Sequence, residues 1–533
     1  MDPSPTNLLG AALTAIRPRA LGALPVLLPI LEALQVRAIT NTLVPSQADI
    51  DLGQVLVLLT LNRLLAPRPL YRVREWLATT ALPQILDLDL AQIYDMRLGR
   101  ALDQLYPHLG ALWAQLASRA IQTFDLDLTI LHWDLTSIYF EGAYTDSQLA
   151  RYGYSRDHRP DTKQITLQVD VTHDDTVPVL YAPLPGNTAD ITRPLPHLRA
   201  LLRFLARPEL ADRGLHPILV SDCKMITGAA VLACHRHHLM YLGPLPPSTE
   251  TEALLRSVSS EELTAHPLAY CPRRAATETD FVPYQGVWRP YRLVQDGQVI
   301  TDRALIVWSS GKARLDLHKR KTYLKRLLNA LEAIGKKLNT RRYKDRSYVE
   351  GRLRSLQQGN PAKGLVDITL TGSDRALSLH FQINRTQLAQ AQALDGRYAL
   401  ATNATQLDAN AALQIFKGQD GIEKRFRTVK GPLQLHPLYV RSDARMEGLV
   451  LITMLAVLVR ALLERQCRQH HLDLSADQLV ALFAPLQVVD LLWADGSVDR
   501  RIGEVRPQQT QILQSLGWPP PAAYAQGLPR PPG

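Results

Sequence analysis

The sequence predicts a mixed α/β protein whose core follows an all-helical N-terminal domain and is interrupted by an inserted subdomain of hairpins and helices. Three observations lead to this fold class. Apolar residues recur three and four positions apart from residue 30 to about 120, which is the spacing of amphipathic helices. From residue 126 onward, short β-branched runs alternate with helical patterns, as in α/β proteins. Between residues 244 and 394, two hairpin patterns flank a basic helical stretch.

The length of 533 residues exceeds what one hydrophobic core usually holds, so several domains are expected. A hydrophobic fraction of 46% and a charged fraction of 21% exclude a largely disordered chain. The predicted parts are a helical domain at 1–122, the first part of the core at 123–243, the insertion at 244–394, the second part of the core at 395–480 and a C-terminal tail at 481–533. The proline-rich end of the tail is expected to be extended.

The core elements follow from their local patterns. Residues 127–142, DLTILHWDLTSIYFEG, predict a strand, a turn and a second strand, and residues 165–172 predict a third. A helix at about 191–205, a strand ending at Asp222 and a helix at 228–238 come next. After the insertion we expect a strand in RYALATN, a helix at 408–430 that Gly418 and Gly421 can break, and a helix at 443–471.

The insertion combines two predicted hairpins with a concentrated positive charge. The first hairpin turns at Asp296-Gly297 and the second at residues 372–374. Between them, residues 312–346 hold thirteen Lys or Arg residues and an apolar stripe from Tyr323 to Leu338. The opposite face carries the cations Lys321, Lys325, Lys336, Lys337, Arg341 and Arg342. This face suits phosphates, and a merely solvated helix face is the alternative.

Charge and composition indicate which class of partner the protein binds and in which cellular compartment it is expected. Sixty Lys and Arg residues against fifty acids give a net charge of +10, which favours a polyanionic partner. Arginines between residues 71 and 105 suit DNA binding by the helical domain, although solvated arginines explain them equally well. Four scattered cysteines without a C-x-x-C pair indicate neither a disulfide framework nor a zinc ribbon. The apolar run 449–459 is too short to span a bilayer, and the N-terminal segment lacks the basic residues of a secretory signal, so we expect a cytoplasmic protein that does not enter membranes.

Three acids stand out by their positions in these elements. Asp134 lies in an otherwise apolar strand, Asp222 follows a buried strand, and Glu423 lies on the helix after the insertion. Carboxylates that converge in a cleft repel one another, and divalent cations relieve that repulsion. Each acid also has a plain structural explanation: a turn with Thr136, a cap for a helix near Met225, and an ion pair with Arg427, respectively.

The segments around these acids resemble motifs of the DDE transposases of prokaryotic insertion sequences, in the group with a β-rich insertion before the catalytic glutamate. HWDLTSIYFEGAY is similar to the first-aspartate motif, and ILVSDCKM is similar to the second. GYSRDHRPDTKQI and VPVLYAPLPGNTAD look like the next core strands. The family's Tyr, Arg, Glu and Lys signature corresponds here to Phe416, Gln419, Glu423 and Lys430, so the first two places depart from it.

This resemblance, which spans about residues 30–480, implies a ribonuclease H-like core. It implies that Asp134, Asp222 and Glu423 bind two Mg²⁺ ions, for which Mn²⁺ can substitute. It further implies cleavage of insertion-sequence ends and strand transfer into target DNA, by a homodimer or higher multimer on double-stranded DNA in a prokaryotic cytoplasm. Arg427 and Lys430 share a helix face with Glu423 and are expected to contact phosphates, as are His158 and Arg159, although an exposed loop explains the last two equally.

Two other functions stay open at this stage. Phe416 lacks the hydroxyl of Tyr, and Gln419 lacks the fixed positive charge of Arg. A catalytically impaired DNA-binding descendant of a transposase would carry such changes. A ribonuclease H-like nuclease that cuts without joining would share the acids.

Overall fold

The computed structural model describes residues 11–156, 159–211, 213–222, 225–270, 283–433, 440 and 442–529. Its chain forms two compact units. The first comprises Met1–Met225, Ala233–Leu239 and Lys417–Gly533, and the second comprises Ile226–Leu232 and Met240–Phe416. Each unit combines helices with a β-sheet, so the mixed α/β prediction is confirmed.

The first unit begins with one strand and a series of helices. These are β1 (Leu13–Ala20), α1 (Leu24–Ala33), α2 (Val36–Leu43), α3 (Leu52–Leu65), α4 (Val73–Ala78), α5 (Leu82–Ile85), α6 (Asp95–Leu105) and α7 (Leu109–Thr123). α3 starts at a capping box in which Asp51 and Gln54 each bond the other's backbone N–H. The helical pattern predicted for residues 30–120 is confirmed.

A sheet with flanking helices follows. Its elements are β2 (Ile130–Phe140), β3 (Lys163–Thr172), β4 (Pro178–Pro185), α8 (Pro194–Leu205), α9 (Pro208–Ala211), β5 (Ile218–Val220) and α10 (Gly228–Arg236). β3 lies antiparallel between β4 and β2, and β2 runs parallel to β5 on its other side. The turn predicted within residues 127–142 was wrong. β2 pairs with β3 without interruption from Leu131 to Phe140, and the first glycine after β2 is Gly142.

The second unit contains the insertion. Its elements are β6 (Met240–Pro244), α11 (Thr249–Arg256), α12 (Ser260–Thr264), β7 (Pro267–Leu268), β8 (Tyr284–Gln295), β9 (Gln298–Ser309), α13 (Ser310–Gly335), α14 (Arg346–Gln357), β10 (Val366–Thr371), β11 (Ser378–Ile383), α15 (Arg385–Gln392), β12 (Arg397–Thr402) and α16 (Ala409–Lys417). In its larger sheet the strands lie in the order β6-β12-β9-β8-β7.

Both predicted hairpins are confirmed. β8 and β9 pair antiparallel across a two-residue turn in which Asp296 and Gly297 have φ values of 51° and 74°. Two consecutive positive φ values fit the tight turn that matches strand twist. β10 pairs with β11, and α13 packs beside them through a core that includes Leu327, Leu331 and Ile334. The apolar stripe predicted for the basic helix is therefore buried as expected.

The chain then completes the first unit. The elements are α17 (Asp420–Lys430), α18 (Asp443–Gln469), α19 (Ala476–Phe483), β13 (Gln487–Trp493), β14 (Val498–Ile502) and α20 (Pro507–Ser515). The predicted break near Gly418 is confirmed, since α16 ends at Lys417. α18 packs against α1, α3, α6, α7 and β4, and so forms the centre of this unit.

One described helix, α18, is long and apolar enough to cross a membrane, and the bent pair of α1 and α2 passes the same test when counted as one span. In α18, 94% of that apolar stretch is buried inside the protein. The run 449–459, which by its length is too short to span a bilayer, is buried throughout.

The region predicted as a C-terminal tail, 481–533, contains regular secondary structure in its described part. β13 pairs antiparallel with β1 on one side and with β14 on the other, so the N-terminal strand supplies an edge for the C-terminal region. Residues 521–526 form a 3₁₀ turn, and Tyr524 in that turn is only 2% exposed. The partner strand lies more than 460 residues away in sequence, and no local pattern in the tail indicates it.

Candidate active site

Asp134 and Asp222 are brought together by neighbouring strands. Asp134 lies in the middle of β2, and Asp222 lies two residues beyond the end of β5. The strands are parallel, and His132 pairs with Val220. Continuing that register by two residues places Asp134 beside Asp222, at the carboxyl end of β5 where sites of α/β sheets gather. Asp134 does not lie in a turn, because β2 continues past it. Asp222 does not cap a helix, because α10 begins only at Gly228.

Glu423 comes to the same strands from a helix. It lies in the first turn of α17, which packs against β2 and β3. The Gln419 amide just before this helix donates a hydrogen bond of 3.5 Å to the backbone oxygen of Trp133, the neighbour of Asp134. Glu423 is exposed, and among the described residues it forms no ion pair with Arg427. An ion pair with Arg427 therefore does not explain the position of Glu423.

A buried arginine fixes the helix that carries Glu423. Arg425 points inward, where it pairs with Glu464 of α18 at 2.8 Å. Its guanidinium also donates to the carbonyl oxygens of Asp175 and Thr176, in the turn between β3 and β4, at 2.9 and 3.0 Å. Burial lowers the pKa of Arg425, and Glu464 opposes that shift. α17 is thus tied to both the sheet and the central helix within two residues of Glu423.

Asp134 carries the electrostatic signature of a shared carboxylate site. Its pKa is raised to about 7, chiefly by burial and to a smaller extent by the charges of Asp222 and Glu423. The Leu135 backbone N–H, which donates to Asp134 at 2.7 Å, and the guanidinium of Arg156 oppose the shift. The charges of both other acids therefore reach Asp134. A shifted acid with specific charge partners is typical of functional sites.

The donor set fits a hard divalent cation by its chemistry. All three candidate ligands are carboxylates, which Mg²⁺ and Mn²⁺ prefer, and a cation would offset the repulsion among their charges. Within the described part of the chain, however, no three His, Cys, Asp or Glu side chains already lie close enough to hold an ion together. The exposed Glu423 side chain has the rotational freedom to change its position, whereas Asp134 is held by β2.

A buried polar cluster supports β2 on the face opposite Asp134. Trp133 stacks on His197 of α8 with ring centroids 4.6 Å apart. His197 lies 3.1 Å from a carboxylate oxygen of Asp170 and 2.8 Å from the amide of Gln168, both on β3. Burial raises the pKa of Asp170. Polar groups this deep are costly unless paired, so the cluster helps to fix the register of β2 and β3.

The other predicted contact residues are distributed over both units. On α17, Arg427 is exposed and Lys430 is partly buried, both on the side that faces away from the apolar residues of the helix. Arg159 pairs with Asp161 at 3.0 Å and lies over the Tyr139 ring. His158 lies outside the described residues. In the second unit, the six cations from Lys321 to Arg342 are all exposed.

Two arginines of this site were missed by the sequence analysis. Arg425 had a usable signal, because it occupies the same helix stripe as the buried Ile422, Phe426 and Val429. Arg156 had none, because its loop contains several arginines with the same local pattern. Arg156 pairs with Asp190 at 2.6 Å, and its backbone N–H donates to Ser137 of β2 at 3.0 Å.

The comparisons with known proteins give distant likenesses. A family model described as a domain of unknown function, DUF4277, matches residues 17–118. No curated protein has a sequence that matches this chain. A piggyBac transposase in a synaptic complex with hairpin DNA is 7% identical, with a TM-score of 0.40 over 88% of this chain and 82% of that one.

Two structures of Mos1 transposase are also similar. The paired-end complex with the left transposon end is 14% identical, with a TM-score of 0.16 over 39% of this chain and 63% of that one. The pre-cleavage transpososome is 16% identical, with a TM-score of 0.16 over 41% of this chain and 66% of that one. These TM-scores are too low to support a functional conclusion, which therefore depends on Asp134, Asp222 and Glu423.

Proposed function

We propose that the chain is a DDE-type transposase, which cleaves DNA strands at the ends of a mobile element and joins them to target DNA. The proposal is supported by the placement of Asp134 and Asp222 on adjacent parallel strands, by the packing of the helix of Glu423 against β2, and by the influence of the other two charges on the pKa of Asp134. The three acids come from three separate parts of the chain. Such convergence costs stability, and phosphoryl transfer with metal ions gives it a use.

The three carboxylates are the residues that would hold the metal. When bound, a pair of Mg²⁺ ions, or Mn²⁺ in their place, would activate the attacking hydroxyl and stabilise the leaving oxygen. The chain's own residues do the rest. Arg425 fixes α17 so that Glu423 stays near β2, and the guanidinium of Arg156, which also pairs with Asp190, would contact a DNA phosphate.

DNA is the partner that the charge distribution favours. The exposed cations of the second unit and the outward-facing Arg427 and Lys430 suit the phosphate backbone, which binds without regard to sequence. We further propose a homodimer or larger assembly, because two element ends must be joined in one event. The proposed setting is a prokaryotic cytoplasm, where the element's DNA is accessible.

A strand-transfer assay tests the proposal directly. The substrate is labelled DNA from the sequences that flank the coding region, with supercoiled target DNA and Mg²⁺. We expect the unmodified protein to form joined products. Asp134→Asn and Glu423→Gln should each lower the rate of strand transfer by about a thousandfold or more. The matched control is Asp420→Asn, an exposed acid in the same helix turn as Glu423. Equal losses in the control and in Glu423→Gln would contradict the proposal.

A second candidate function is a DNA-binding descendant without catalysis. Two observations favour it: no metal-ready group of three ligands is preassembled among the described residues, and Phe416 and Gln419 replace two signature residues. Binding of end DNA without any cleavage in Mg²⁺ or Mn²⁺ would support this candidate. Cleavage without joined products would instead indicate a ribonuclease H-like nuclease.

A further inference from the structure

The segment between β2 and β3 presents aromatic side chains to solvent. Tyr154 is 85% exposed and Tyr152 is 59% exposed. Ile191, on the neighbouring segment after β4, is 68% exposed. Among the described residues, the Tyr154 side chain makes no hydrogen bond and no ring contact. No contact within the described part of the chain therefore accounts for the exposure of this large ring.

The backbone that carries Tyr154 is held firmly in place. Buried Gln164 donates from its amide to the carbonyl oxygens of Tyr154 and Gly186, at 2.9 Å each. Arg151 and Gln164 exchange two backbone hydrogen bonds of 2.9 and 3.0 Å. A Cβ on Gly153 would lie 2.0 Å from the Gly186 oxygen, so the two segments touch at a point where only glycine fits. The exposed ring therefore stands on a rigid support.

The base of the same segment is anchored to the central helix. The Asp443 carboxylate, at the start of α18, accepts hydrogen bonds from the backbone N–H groups of Gln148 and Leu149, at 2.8 and 3.2 Å. It also accepts from the Ser147 hydroxyl. Because the segment is fixed at both its base and its middle, little entropy is lost when Tyr154 binds a partner.

The patch adjoins β2, the strand that carries Asp134, and has a small excess of positive charge. Arg156 follows Tyr154 by two residues; its backbone N–H bonds Ser137 on β2, and its guanidinium charge lowers the pKa of Asp134. Its ion pair with Asp190 joins the two exposed segments. Residues 151–163 contain four Lys or Arg residues against two Asp. A protein partner would favour a patch with few charges, whereas aromatic rings among cations suit a nucleic-acid strand.

We propose that Tyr154, supported by Tyr152 and Ile191, stacks on an unpaired base of the DNA strand beside the cleavage site, while Arg156 contacts the adjoining phosphate. This inference rests on the proposed function for the identity of the nucleic acid. An exposed π-face binds any base, so the patch would hold a single-stranded flank without reading its sequence. The tryptophans of the insertion are less suited to this role, because Trp288 already faces the Arg303 guanidinium at 4.1 Å and Trp308 packs against a buried cluster.

Binding measurements without metal test the inference. The probes are a duplex of about 20 base pairs and the same duplex with an unpaired extension of about four nucleotides, which carries 2-aminopurine. We expect the full-length protein to bind the extended DNA about tenfold more tightly and to quench the 2-aminopurine fluorescence. Tyr154→Ala should lose both effects, and Tyr154→Phe should keep them because the ring remains. Tyr106→Ala, which removes a tyrosine that is 41% exposed in the helical region, is the matched control.

The outcomes separate this inference from the proposed function. Equal binding of both probes by the unmodified protein, or an unchanged preference in Tyr154→Ala, would overturn the inference and leave the strand-transfer result standing. A lost preference in Tyr154→Ala would support it even in a protein that never cleaves DNA. A change of oligomeric state in Tyr154→Ala, with the preference for unpaired DNA retained, would assign the patch to a second copy of the chain and overturn the inference.

Discussion

The carboxylate site of the first unit and the basic face of the second unit hold their charges in opposite ways. Asp134 is partly buried in an apolar strand, and its pKa is raised to about 7. The cations from Lys321 to Arg342 stand in water on the solvent side of their subdomain. Charge is costly in the first place and cheap in the second. A single buried charge, which lowers stability, is therefore stronger evidence of function than many exposed charges, which hardly affect stability.

The same contrast applies to ion pairs. Arg425 and Glu464 in the first unit are 9% and 16% exposed, whereas Arg256 and Glu252 in the second unit are 38% and 52% exposed. Breaking a buried pair leaves an uncompensated charge, but an exposed pair exchanges its partner for water. The predictions below compare the two regions, in order of decreasing effect.

The largest effect is expected from the buried pair. Arg425→Met should lower the free energy of unfolding by about 3–5 kcal/mol, because Glu464 and two backbone carbonyls lose their partner. The double variant Arg425→Met with Glu464→Gln should recover part of this loss. Arg256→Met, the exposed control on α11, should cost less than about 1 kcal/mol. Chemical denaturation gives all three values, and similar losses in Arg425→Met and Arg256→Met would refute the contrast.

A smaller effect is expected on the basic face. Replacing Lys336 and Lys337 by Gln should lower the slope of log affinity against log salt concentration by about 1.8, since each lysine releases about one counterion from DNA. Stability should not change, because both side chains are exposed. Replacement of both by Arg should keep the slope. A slope that stays constant in the Gln variant would remove this face from the DNA interface.

The last prediction is a pH dependence of stability that comes from Asp134. Its folded pKa of about 7 lies above its ordinary value of 3.8, so the folded protein keeps a proton that the unfolded chain has already released. Stability from this group is therefore lost as the pH rises from about 4 to about 7 and stays low above that. Asp134→Asn should raise the melting temperature relative to the unmodified protein more at pH 8 than at pH 5. An equal difference at both pH values would contradict the assignment, and the exposed Asp420→Asn serves as the control.

Local patterns predicted most of the fold for a physical reason. Helix spacing, the Asp296-Gly297 turn and the apolar stripe of α13 depend on neighbours in sequence, and each was confirmed. The pairing of β1 with β13 depends on residues more than 460 positions apart, so the folded C-terminal region was not predicted. The continuous β2 was mistaken for two strands because polar residues inside a buried strand resemble a turn.

The site was predictable only in part. Asp134 and Asp222 could be selected because they lie at buried strands, and all three acids because the segments around them resemble the motifs of a known family. Their effect on one another depends on the register between β2 and β5 and on the seating of α17, which sequence spacing does not contain. Arg156 belongs to a loop, where side-chain direction follows from tertiary hydrogen bonds such as the one to Ser137.

The binding of Mn²⁺, followed by electron paramagnetic resonance, tests the shared carboxylate site most directly. The proteins are the unmodified chain, Asp134→Asn, Asp222→Asn and Glu423→Gln, with Asp420→Asn as the control. Each of the first three substitutions is expected to weaken Mn²⁺ binding by at least about tenfold, while the control binds like the unmodified chain. If Glu423→Gln bound Mn²⁺ as tightly as the unmodified chain, the three acids would not form one metal site.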